Sequence, residues 1–285
     1  MVSGKRLFVV IAAGLQLVGA GAACGSTTSA SQSAPALDCS ISKLNLYSAG
    51  QLTVATDSPA YDPWFTDNKP SNGKGYESAV AYAIATQMGF TNSQVTWVVE
   101  PFDSSYAPGP KKFDFDINEI SVTPDRETAV TFSKSYFDVN QAIVALKDSP
   151  IATAHSPSDL KKYKYGDQVG TTGLAFIQSK IQPTKTPAVF NTLDDAVAAL
   201  KNKQIDAIVI DTPTAQFMAG DQVPNGTVVG QFPSTGEHYG LLFAKANPLV
   251  GCVNQAIDKL KAAGTLRNLE SQYLSAYTSI PVLQP

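Results

Sequence analysis

The sequence predicts an α/β fold with largely parallel sheets. Two observations carry this: short β-rich runs alternate with amphipathic helical stretches, and the series starts twice along the chain. Leu52–Thr56 reads as a strand and leads into a loop rich in Pro, Asp and Gly. Residues 76–88 carry Val80, Ile84 and Met88 at four-residue steps, the spacing of one helix face, with Gly89 as the stop. Val95–Val99 and residues 115–120 read as further strands. The pattern restarts with a strand at 165–169, a helix at 172–180, a helix marked by Leu193, Val197 and Leu200, and a nearly continuous apolar strand at 205–210. Residues 241–243 form a late strand before a helix whose Leu249, Val253, Ile257 and Leu260 share one face, closed by Gly264. The two series read as two similar lobes. Periodicity leaves open whether the chain crosses between them once or twice.

The 285 residues are 44% hydrophobic and 16% charged, with a formal net charge of −3, which excludes a disordered or collagen-like chain. With no basic run, nucleic acid is not an expected partner. One long apolar stretch, at the extreme N-terminus, excludes a polytopic membrane protein. Lys5 and Arg6 precede an apolar core at 7–18, and Gly21-Ala22-Ala23 leads into Cys24, the outline of a secretory signal over residues 1–23. The tract is similar to a bacterial lipoprotein signal in which Cys24 becomes the lipidated first residue, although Gly21 stands where Leu is usual. Ordinary cleavage, with Cys24 a spare thiol, is the alternative. Lipidation of Cys24 would leave Cys39 and Cys252 either to form a disulfide or to lie apart as buried thiols. Residues 24–37, mostly small and polar at their start, read as a flexible tether.

No nucleophile elbow, phosphate-binding loop, His-Glu-x-x-His or dinucleotide fingerprint occurs, and the two histidines, His155 and His238, are far apart. Catalytic chemistry, a metal and a cofactor are therefore not expected. The residues argue for binding.

Several segments resemble, in order and spacing, the bacterial extracellular solute-binding proteins that deliver polar amino acids to ABC importers. They are Leu52-Thr53-Val54-Ala55-Thr56-Asp57 with Tyr61-Asp62-Pro63-Trp64-Phe65, Gly75-Tyr76-Glu77, and Ser121-Val122-Thr123-Pro124-Asp125-Arg126. Gln141-Ala142, Val169-Gly170-Thr171-Thr172, the stretch from Asp206 to Asp211, and Tyr239-Gly240 complete the series. The resemblance implies a two-lobed periplasmic-binding-protein-like fold with two hinge strands. It puts lobe one at residues 38–143 and 238–285, and lobe two at residues 144–237.

The resemblance also implies a site. Arg126, at the start of a helix that Thr123 can cap and Pro124 begin, becomes the clamp for a ligand α-carboxylate; otherwise it is a surface residue paired with Asp125 or Glu127. Thr171 and Thr172 open a helix toward an anion, or simply cap it, and Gly173 replaces a polar side chain usual in the family. Asp211 takes the ligand ammonium, or caps the next helix. Tyr61 and Phe102 sandwich the ligand side chain, while Trp64 and Phe65 are packing. Ser121 and Asp57 complete the wall. Glu119 stands where the family has Ser or Gly; on a strand it would share a face with Phe115, Ile117 and Ser121, and a cationic ligand would relieve its burial. Asp116 and Asn118 replace apolar residues, and residues 104–112, with Pro108-Gly109-Pro110, replace a family helix.

The expected function is a monomeric extracytoplasmic receptor, held by lipid to the outer face of the cell membrane or periplasmic. It would capture a free polar amino acid and pass it to an ABC permease. Arginine, lysine or ornithine are favoured over glutamate, with a neutral ligand such as glutamine next. The competing readings are a dehydratase-like enzyme on the same fold and a sensory ectodomain; the latter is set behind because no spanning helix or cytoplasmic domain is read.

Overall fold

The computed structural model describes residues 37–154, 156–277 and 280–283. The expected signal, the lipidation site Cys24 and all of the tether but Leu37 lie outside them. The first series of elements runs β1 (Leu52–Thr56), α1 (Tyr76–Gln87), β2 (Val95–Val99), α2 (Phe102–Ser105), β3 (Phe115–Asp116), α3 (Pro124–Ala129) and β4 (Val130–Asp138). The second runs β5 (Gln141–Leu146), α4 (Pro157–Leu160), β6 (Gly166–Gln168), α5 (Thr172–Phe176), β7 (Ala188–Phe190), α6 (Leu193–Lys201), β8 (Ala207–Asp211), α7 (Thr212–Phe217) and β9 (Gly226–Gln231). The chain then continues through β10 (His238–Ala244), α8 (Leu249–Ala262) and α9 (Thr265–Tyr273).

Among the described residues, one sheet has the order β2-β1-β3-β10-β4, and a second has β8-β5-β9. The parallel pair β6-β7 adjoins the second sheet through a bridge between Tyr165 and Ala207. Pairing explains the mainly parallel reading: in each sheet a single strand, β10 or β5, runs against the rest. Those are the strands that follow the two crossings between sheets. The crossing segments touch, since Val139 N donates to Glu237 O at 3.0 Å and Phe232 N to Gln141 O at 2.8 Å. Between β4 and β10 the chain therefore crosses twice, which periodicity left open. The last described residues do not stay with the first sheet: Gln231 N donates to Pro281 O and Leu283 N to Gln231 O, both at 2.8 Å, and Leu283 is buried in the second lobe. Backbone pairing with the edge strand β9 draws this tail across.

Burial matches the alternation of each strand. On β5, Ala142, Val144 and Leu146 enter one cluster and Ile143 and Ala145 another, so the strand is apolar throughout because both faces are covered. The first lobe's largest cluster is organised around Trp64, whose ring meets Tyr76, Phe137 and Tyr239 edge-on at 5.5–5.9 Å. Gly75 allows this approach. Its φ is +93°, and a Cβ there would lie 2.3 Å from Trp64 O, the carbonyl that accepts the first amides of α1 from Glu77 and Ser78.

Two elements differ from expectation. The strand expected at 115–120 ends at Asp116, and beyond it Glu119 takes a left-handed φ of 52° that breaks alternation. The helix at 172–180 is α-helical only to Phe176 and passes into a π turn at Ile177–Ile181, which buries both isoleucines. Gly264, with φ +73°, stops α8 and also begins α9.

Cys39 and Cys252 are joined, with Cα atoms 5.5 Å apart across a sequence separation of 213 residues. A loop this long removes much disorder from the unfolded chain when closed. Replacing both cysteines by serine should lower unfolding free energy by about 2–5 kcal/mol. Equilibrium denaturant unfolding checks this; an unchanged midpoint and slope would show that the bridge adds nothing.

Candidate ligand-binding site

A cavity of about 380 Å³ opens where the ends of the strands of the two sheets meet. All nine residues expected at a ligand, Asp57, Tyr61, Phe102, Glu119, Ser121, Arg126, Thr171, Thr172 and Asp211, line it. Their elements explain the convergence. Asp57 follows β1, Phe102 opens α2 after β2, Glu119 and Ser121 follow β3, and Asp211 ends β8, so the carboxyl ends of parallel strands supply most of the wall.

Arg126 is held rather than loose. Thr123 Oγ1 accepts its amide at 3.2 Å and Pro124 begins the helix, as the local sequence predicts. Its side chain, 7% exposed, donates from Nη1 to Ser121 O at 2.7 Å and from Nη2 to Gly170 O at 2.9 Å. Neither Asp125 nor Glu127 is its partner in these contacts. Phe102 lies against the guanidinium, 5.2 Å from Cζ, so its ring serves the arginine as well as the cavity. Thr171 uses its hydroxyl locally, donating to Gln168 O and accepting from Leu174 N. Capping is thus present at this position.

Asp211 does not cap α7 through its side chain. Its carboxyl accepts from Gln141 Nε2 and Tyr239 Oη, each at 2.5 Å. Burial and then Glu237 push its pKa up to about 8, against the opposing pull of Tyr239, Gln141 and Arg126. Glu119 reaches the cavity from its left-handed turn. Its amide donates to Glu77 Oε1 at 2.7 Å, and its carboxyl accepts from Thr214 Oγ1 at 2.5 Å. Thr214 in turn accepts from Trp64 Nε1 at 2.8 Å, so a chain of three side chains joins the lobes. Burial, then Glu77, raises Glu119 well above the ordinary carboxyl value. Asp57 accepts from the amides of Ser58 and Phe102 and is raised by burial. Tyr61 is raised by burial and by Asp194 beside it. Trp64 and Phe65 are core, as expected.

Four residues were missed by sequence reasoning. Glu237 accepts from Ser121 Oγ at 2.6 Å and from Gln141 Nε2 at 3.0 Å. Glu77 is buried beneath Glu119, accepts from Tyr136 Oη, and is pushed up to about 7 chiefly by burial. Asp167 is buried at the cavity wall, and Thr214 bridges the lobes. An acid inside a short strand was the available signal for Asp167. The signal for Glu237 was an acid directly before a returning strand. The cavity wall carries the carboxyls of Asp57, Asp103, Glu119, Asp167, Asp194 and Asp211 against the single guanidinium of Arg126. A cation entering such a wall would favour the ionised form of these acids, whereas a second anion would oppose it. Among the described residues no group of three or more His, Cys, Asp or Glu is arranged to hold a metal ion.

Asp211 and Glu77 keep a proton in the folded chain at pH values where the unfolded chain has released it. The folded state thus binds more protons, and stability without added ligand should fall as pH rises from about 5 to 8. Asp211→Asn should flatten that slope. Melting curves across the range check this, and a wild-type melting point rising through the window would contradict it.

The profile of the bacterial extracellular solute-binding proteins, family 3, matches residues 52–276. A probable histidine-binding protein of Campylobacter jejuni is 30% identical over 78% of this chain and 84% of its own length. The ABC transporter arginine-binding protein 1 of Escherichia coli is 26% identical over 76% of this chain and 88% of its own. Among solved structures, an ancestral arginine-binding protein bound to arginine is 28% identical with a TM-score of 0.64, covering 79% of this chain and 98% of that one. The two named relatives are binding proteins rather than enzymes. With most of its length matched and the two-lobed architecture in common, the chain belongs to the bacterial extracellular solute-binding proteins, family 3.

Proposed function

We propose that this protein captures a cationic amino acid outside the cytoplasm and delivers it to an ABC permease. The observation that carries the reading is the cavity's lining: six carboxyls, which a bound cation would draw into their ionised form, face one buried guanidinium. Arg126 takes the ligand α-carboxylate, because a buried guanidinium retains donors beyond the two bound to Ser121 O and Gly170 O. Backbone amides at Thr171 and Thr172 assist, and Ser121, whose hydroxyl proton goes to Glu237, lines the wall beside them. Asp211 takes the ammonium, with Glu119 and Glu237 around it. Tyr61, with Phe102 at its margin, flanks the ligand stem, and Asp57 and Asp194 face a distal cation. The arginine- and histidine-binding relatives support this ligand class. The lobes close on the ligand about the two crossing segments, between β4 and β5 and between β9 and β10. Cys24 anchors the mature chain to the membrane by lipid, and the protein works as a monomer.

Thermal-shift screening of the common amino acids tests the reading. A ligand at one hundred times its dissociation constant stabilises by about 2.7 kcal/mol. Arginine, lysine or ornithine should raise the melting point while glutamate does not; the reverse would overturn the charge argument. Arg126→Ala should weaken binding by about 2–4 kcal/mol in calorimetry, and wild-type affinity would remove Arg126 from the site. Recovery of the ligand unchanged after incubation separates a receptor from a dehydratase-like enzyme. Intact-mass analysis of the membrane fraction tests the anchor, which an unmodified Cys24 in soluble product would rule out.

A further inference from the structure

One aromatic side chain stands behind Arg126, outside the cavity lining. The Tyr106 ring lies 4.8 Å from Arg126 Cζ and meets Phe102 edge-on at 5.6 Å, so two rings bracket the guanidinium. Its hydroxyl ends against Gly170 of the other lobe, where an added Cβ would fall 2.0 Å from Oη. Gly170 has φ +73°, and its carbonyl accepts Arg126 Nη2 at 2.9 Å. One glycine thus receives two contacts from the first lobe; its positive φ favours glycine, and the Tyr106 hydroxyl occupies the space a side chain would take.

The loop that carries Tyr106 is fastened rather than free. Ala107 N donates to Ser104 O at 3.2 Å. Lys111 Nζ donates to Ser104 O at 3.0 Å and to Ala107 O at 2.6 Å, the carbonyls on either side of Tyr106. Pro108 and Pro110 restrict the turn between, and buried Phe113 roots its far end.

We propose that Tyr106 and Gly170 form a latch between the lobes that governs how fast a bound amino acid leaves. Tyr106 is a positioning residue. It fixes the plane of the guanidinium together with Phe102, and it holds the loop before α5 against the first lobe. Escape of the ligand requires the lobes to part, so loss of the latch acts on dissociation rather than encounter. This inference rests on the reading of Arg126 as the ligand's carboxylate partner.

Stopped-flow kinetics with L-arginine, paired with hydrogen exchange of the protein without ligand, tests it. Tyr106→Ala should raise the dissociation rate by about tenfold and leave association within about twofold. Gly170→Ala, made in the other lobe, should speed dissociation in the wild-type background and add much less in the Tyr106→Ala background, where the hydroxyl it would strike is gone. Exchange across residues 166–176 should rise in Tyr106→Ala. Unchanged dissociation in both single variants, additive effects in the double variant, or unchanged exchange across 166–176 would overturn the latch. If L-arginine fails to bind the wild type, the proposed function falls, and the exchange measurement still decides the latch.

Discussion

A single guanidinium set among buried carboxyls, at the place where two lobes meet, is the interaction on which the rest of this structure depends. Carboxyls removed from water hold their protons, find donors, or wait for a cation. Each solution is used here. Asp211 collects Gln141 and Tyr239, Glu119 collects Thr214, and Glu77 collects Tyr136 and the Glu119 amide. The surplus of acid over base remains, and it is the basis of the proposed preference for a cationic ligand.

The fold makes that surplus possible. Strands that run one way within each sheet aim their carboxyl ends at the same cleft, and the two crossings bring Glu237 and Gln141 beside each other. The apolar interior lies behind this layer. Trp64 belongs to both, since its ring fills the first lobe's core while its indole N–H steadies Thr214 of the second. The left-handed turn at Glu119 is the local departure from ordinary backbone. A side chain other than glycine costs about 1–2 kcal/mol there, and the turn gives a buried amide to Glu77 and a carboxyl to the opposite lobe.

Much of this was legible before any coordinates. Val80, Ile84 and the face of Leu249, Val253, Ile257 and Leu260 marked buried helix faces, and Thr123-Pro124 marked the helix start that fixes Arg126. What escaped depended on distant partners. Glu119 looked like a strand residue because alternation carries no record of a positive φ, so its route into the cavity was misread although its burial was not. Asp116 and Asn118 stood out as polar in an apolar context; Asp116 proves fully buried, and nothing in the structure explains it. Glu77 read as the acidic opening of a helix, where acids ordinarily meet solvent. Only the tertiary fold lays Glu119 and Tyr136 over it. The tail at 280–283 carries too short an apolar pattern to declare which sheet it joins.

The central claim is that charge, more than shape, selects the ligand. Arginine and citrulline share a skeleton and nearly the same outline, but only arginine carries the distal positive charge. Titration calorimetry of both amino acids against the same preparation isolates that difference. The account predicts that arginine binds at least about tenfold more tightly, the ratio that 1.4 kcal/mol of electrostatic preference produces. Equal affinities, or tighter binding of citrulline, would contradict it.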